Sequence, residues 1–72
     1  MRYTVTREIK KDGETSAPVV IATKESKEAA RAYLAKLATI AESRPRFSRV
    51  RLGFASLRAK TADRTEYIFK IR

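Results

Sequence analysis

Nine of the residues from 43 to 72 are cationic: Arg44, Arg46, Arg49, Arg51, Arg58, Lys60, Arg64, Lys70 and Arg72. Only Asp63 and Glu66 oppose them there. Residues 1–42 carry eight basic side chains against six acidic ones, so most of the formal charge of +9 lies beyond them. Seven of the nine cations are arginine, whose planar fork meets a phosphate or a guanine edge with two parallel hydrogen bonds. The chemistry on offer is anion binding, with nucleic acid the commonest such partner of a basic domain.

Bond-making chemistry has little to draw on. The chain has no cysteine and no histidine, which removes thiolate and imidazole as nucleophile, general base or metal ligand. Its carboxylates (Glu8, Asp12, Glu14, Glu25, Glu28, Glu42, Asp63 and Glu66) are scattered, and no two have the spacing that would set one against the other as acid and base. Two glycines cannot build a phosphate-cradling loop, and neither stands between a strand and a helix. The expectation is a protein that is not an enzyme and takes no metal and no cofactor.

Which cations can act together depends on the elements that hold them. Arg2–Lys10 alternates, with Tyr3, Val5, Arg7 and Ile9 on one face and Arg2, Thr4, Thr6, Glu8 and Lys10 on the other. Asp12-Gly13 predicts a hairpin turn, and a return strand follows over about Thr15–Ala22. Pro18 lacks an amide donor, which places that strand at a sheet edge. Thr23–Glu42 predicts the one long helix, with Thr23 as N-cap and Ser26 as the competing choice. Ala30, Tyr33, Leu34, Leu37, Ile40 and Ala41 make its apolar stripe, and Pro45 stops it.

Phe47–Ala59 alternates again, but its parity changes near Gly53. Val50, Leu52 and Phe54 share one phase, and Leu57 and Ala59 share the other. A β-bulge at Gly53 would return both groups to one face of a single strand. Lys60–Arg64 reads as a turn, and Thr65–Arg72 as a last strand with Tyr67, Phe69 and Ile71 inward.

These elements predict a single α+β domain over residues 1–72, in the order β-β-α-β-β. It is a four-stranded antiparallel sheet with one helix packed on one face. A spatial order of 2-1-3-4 keeps all neighbours antiparallel. With Val50 and Leu52 against the helix, Arg49 and Arg51 point to the open face. Arg58 joins them after the bulge, Lys70 and Arg72 project the same way, and Arg44 and Arg46 edge the surface. The plain alternative is that these are ordinary solvated residues of a sheet face left without cover. The surplus of arginine exceeds what solubility requires and favours the binding face. The aromatics Tyr3, Tyr67 and Phe69 share the inward phase, so they belong to the core rather than to a base-stacking platform. Ile68 falls on the open face, as a lone exposed residue or the centre of a protein contact.

Residues from Tyr3 to about Leu37 resemble the small DNA-binding domains at the N-termini of phage and transposon integrases. The likeness is carried by Tyr3 and Val5 on a strand, the Asp12-Gly13 turn, and Thr23-Lys24 leading into Glu28-Ala29 and Tyr33-Leu34. It implies a sheet that enters the major groove with the helix packed behind it. In that family the basic residues sit on the first strands, whereas here they lie in the other half. The expected partner is therefore nucleic acid, DNA ahead of RNA, with an acidic protein surface as the alternative. That alternative would suit a compact phage or mobile-element factor.

No signal segment or apolar span opens the sequence, and the helix surface mixes Glu with Lys, so the expectation is a cytoplasmic protein without a membrane partner. A homodimer would add buried area that so small a core lacks, although nothing in the sequence requires one.

Overall fold

The computed structural model describes residues 2–72. The element order is β1 (Tyr3–Lys11), β2 (Glu14–Thr15), β3 (Val19–Lys24), α1 (Lys27–Glu42), β4 (Phe47–Leu52), β5 (Ser56–Thr61) and β6 (Glu66–Ile71). The class is α+β, with one helix against an antiparallel sheet. The sheet has six strands rather than four, in the order β2-β1-β6-β5-β4, with β3 also pairing β1. The predicted order is therefore corrected, because the last strand lies beside the first.

That placement follows from burial. Strand β6 is apolar inward at Tyr67, Phe69 and Ile71, and its outward Ile68 is only 8% exposed, so it belongs in the middle of the sheet. Strand β4 carries Arg49 and Arg51 outward and fits an edge. Strand β3 pairs only with β1 and is also an edge, with Pro18 just before it in the break between β2 and β3.

The parity change near Gly53 has a different cause from the predicted bulge. The segment is two strands joined by a tight turn, in which the Gly53 N–H donates to the Ser56 carbonyl at 2.7 Å. A β-carbon at Gly53 would sit 3.1 Å from Ser56 Oγ and 3.4 Å from the Ser56 carbonyl oxygen, so any larger residue there requires the Ser56 hydroxyl to shift by a few tenths of an ångström. Strands β4 and β5 then pair Val50 with Ala59 and Leu52 with Leu57, which brings both phases to the helix side. Bulges do occur elsewhere, between Val5 and Thr6 against β3 and between Phe47 and Arg49 against β5.

The helix begins later than Thr23. Thr23 and Lys24 stay in the ladder opposite Thr4 and Tyr3, so their backbone is committed to the sheet. Ser26 caps instead, with extended backbone (φ −136°, ψ 158°) and its Oγ accepting from the Ala29 N–H at 3.1 Å. The buried stripe is Ala30, Leu34, Ala38 and Ala41, and small residues on it let the helix lie close to the strands. Val5, Ala30, Leu34, Ala38 and Leu57 form the core, with Tyr3, Tyr33, Leu37, Val50, Phe69 and Ile71 packed around it. Ile40 belongs to the predicted stripe but is 41% exposed.

Phe54, at the β4–β5 turn, holds that turn to the helix start. The Arg31 guanidinium lies 4.1 Å from its ring centroid and Lys27 Nζ lies 5.1 Å from it. The molecule measures 37 × 26 × 16 Å, and the shortest dimension is one sheet plus one helix, with the far face of the sheet uncovered. No helix among the described residues is long and apolar enough to cross a membrane.

The β5–β6 turn is tied by Asp63, whose carboxylate accepts from Thr61 Oγ1 and from the Thr65 N–H. Those bonds, with the Thr61 hydroxyl first and Thr65 next, hold the acid below its ordinary value of 3.8. A lowered folded-state value means stability that is present above about pH 4 and is lost as pH falls through the folded value. Asp63→Ala should therefore lower the urea midpoint at pH 7, and the gap from the parent should narrow progressively as the pH falls below about 4. A gap that persisted in acid would assign the effect to something other than the carboxylate.

Candidate nucleic-acid interface

Cross-strand partners share a face, so the register fixes what the open face displays. One row across the sheet is Glu8, Ile68, Arg58 and Arg51, and the next is Lys10, Glu66, Lys60 and Arg49. A third is Val20, Thr6, Lys70 and Ser56. Arg49, Arg51, Arg58 and Lys60 line one shallow depression together with Glu66. Within it Arg51 stands directly opposite Arg58, and Arg49 directly opposite Lys60.

Like charges directly opposite each other weaken a strand pair, typically by a few tenths to about 1 kcal/mol. Two such pairs in adjacent rows are a cost to the fold that one carboxylate only partly offsets. Arg58 Nη1 lies 3.9 Å from Glu66 Oε1, a long contact with Arg58 well exposed, and it contributes little. Four cations thus converge on the two strands at the β4 edge.

The remaining expected residues divide. Lys70 sits on the same face between Thr6 and Ser56, half-buried. Arg72 also reaches that face but at its other end, where Nη2 lies 3.1 Å from Glu8 Oε1 and Nε donates to Thr6 Oγ1 at 3.4 Å. Its charge is matched locally, so it adds little to the field of the β4–β5 cluster.

Arg46 lies elsewhere. Its Nη2 donates to Tyr67 Oη at 2.9 Å, and its guanidinium stands over Phe47 at 4.9 Å and Tyr67 at 5.6 Å. Phe47 and Tyr67 meet edge to face on the helix side, so Arg46 braces that side and does not border the open face. Arg44 is exposed in the turn after the helix, its N–H bonded to the Ala41 carbonyl, and its side chain has no ion pair among the described residues.

Lys60 and Lys10 join the face without having been singled out. Lys60 is two residues from Arg58 on β5 and so shares its face, whereas a turn over Lys60–Arg64, as expected from sequence, assigns it no face. Ile68 is neither exposed nor open to a partner. Its neighbours Glu8 and Arg58 carry long stems that account for its cover on a face with no helix.

No protein family, curated protein or solved structure matches this chain. The likeness to integrase DNA-binding domains thus rests on the quoted residues alone.

Proposed function

We propose that this is a non-enzymatic nucleic-acid-binding protein that docks its open sheet face on duplex DNA. What supports the reading most is the pair of like-charged cross-strand contacts, Arg51 with Arg58 and Arg49 with Lys60. A fold gains nothing from them, whereas a phosphate backbone would convert both into favourable contacts. Arg49, Arg51, Arg58 and Lys60 would carry the contacts, with Lys70 beside them, and Arg72 would act only after release from Glu8. A two-stranded β-ribbon fits a major groove about 12 Å wide, and β4–β5 is the outer hairpin of the sheet, which favours duplex DNA over the deep, narrow groove of duplex RNA. A cytoplasmic location goes with this reading.

An acidic protein surface is the rival partner, and it has one observation of its own. Among the described strands β3 pairs with β1 alone, which leaves a backbone edge for a strand-adding partner, and its Val19 and Val20 are 51% and 57% exposed. A salt-titrated gel shift with duplex DNA, single-stranded DNA and duplex RNA separates the readings. Duplex DNA should be retained best, and its affinity should fall steeply with salt. Affinity that does not change from low to high salt would leave the protein partner as the better account.

A further inference from the structure

Two turns lie side by side at one end of the sheet, because β1 and β6 are antiparallel neighbours with Lys10 opposite Glu66. The β1–β2 turn has positive φ at Asp12 (53°) and Gly13 (81°), residue types that accept it readily. The β5–β6 turn has positive φ at Arg64 (69°). There the Arg64 N–H donates to the Thr61 carbonyl at 3.2 Å, and the Thr61 N–H donates to the Thr65 carbonyl at 2.9 Å. That is a three-residue hairpin loop closed by a left-handed residue, a position usually given to glycine. Arginine has a β-carbon that crowds the backbone there, and no short polar side chain to compensate.

A strained position filled by a large cation directs attention to what the cation does. Arg64 lines a recess with Lys10 and Lys60, alongside Asp12, Gly13 and Glu66. Lys10 and Lys60 lie in the open-face row that ends at Arg49, so the recess continues the cationic cluster over the end of the sheet. Of the nearby carboxylates, Asp63 is engaged within the turn and Glu66 faces Arg58, which leaves Asp12 as the one unpaired acid in the recess among the described residues, against the three cations. Arg64 has no ion pair among the described residues.

We propose that Arg64, with Lys60 and Lys10, forms a second phosphate contact, reached by a nucleic acid that already lies on Arg49, Arg51 and Arg58. The proposal rests on the nucleic-acid reading and adds a turn residue outside the face first singled out. Arginine is kept at a strained position because its charge is used there.

The test is Arg64→Gly, with Arg64→Lys as the charge-conserving companion, in salt-titrated binding to duplex DNA and in thermal melting. Glycine relieves the left-handed strain but loosens the unfolded chain. The melting temperature should then match the parent or exceed it by up to about 6 °C. Affinity should fall about 8-fold at 0.1 M salt, and the log–log salt slope should become shallower by about 0.9, while Arg64→Lys keeps the parent slope. Unchanged affinity and slope in Arg64→Gly, with binding still weakened by Arg49→Ala/Arg51→Ala, would overturn the Arg64 contact alone. Unchanged affinity in that double variant as well would overturn the nucleic-acid reading and the Arg64 contact with it. Weakened binding that came with a lower melting temperature would make Arg64 a structural residue and also overturn the proposal.

Discussion

Replacing Arg49 and Arg51 together by alanine should weaken duplex DNA binding about 60-fold at 0.1 M salt and only about 3-fold at 0.5 M. Each phosphate contact releases counterions, so losing two should make the log–log salt slope shallower by about 1.8. Both side chains are exposed on β4, and neither forms an ion pair among the described residues. Their removal takes away no buried contact. It also dissolves the two like-charged pairs, Arg51 with Arg58 and Arg49 with Lys60. The folded protein should therefore be as stable as the parent or slightly more so, by a few tenths to about 1 kcal/mol. Binding that falls while stability holds or rises is a combination that misfolding cannot produce. Affinity measured across a salt series, with a thermal melt of the same samples, checks both halves. A parent-like slope in the double variant would remove these arginines from the interface.

The second large effect is on folding. Leu34→Ala should cost about 2–5 kcal/mol, the usual range for emptying a buried leucine site. Leu34 is 1% exposed and belongs to the core with Val5 and Leu57, each of which is as fully enclosed. A chain of this length has a total stability of about 4–11 kcal/mol, so the variant should melt at least about 10 °C lower. Ile40→Ala is the contrast. Its side chain is 41% exposed, and its loss should cost under about 1 kcal/mol. Equal losses at the two positions, measured by circular dichroism melts, would mean that the helix sits on the sheet in a different rotation.

That contrast marks how far the residues could be read unaided. Both Leu34 and Ile40 fit the apolar stripe, because periodicity gives a face but not the depth to which the face is covered. The same holds at the helix start. Thr23 and Ser26 are both competent caps, and the choice fell to Ser26 because pairing with β1 keeps Thr23 in a strand. From sequence, Arg46 in the linker after the helix reads with Arg44 as an edge of the open face. Its actual side was set by Phe47 and Tyr67, which offered a ring edge and a hydroxyl on the helix side.

The candidate face divides in the same way. The concentration of charge in residues 43–72 and the outward phase of Arg49, Arg51, Arg58, Lys70 and Arg72 follow from sequence, since alternation along a strand is local and has a period of two. Even a wrong reason, a bulge at Gly53 in place of a turn, returned Arg58 to the same face, because either device shifts parity. Which strands are neighbours is a different kind of fact. Pairing joins residues far apart in the chain, and several orders satisfy one inward–outward pattern. Only the tertiary structure set Arg51 against Arg58, Lys60 against Arg49, Glu8 beside Arg72, and Arg64 beside Lys10. Charge and facing are properties of each strand alone; whether two cations stand opposed or one is neutralised depends on register, which long-range burial decides.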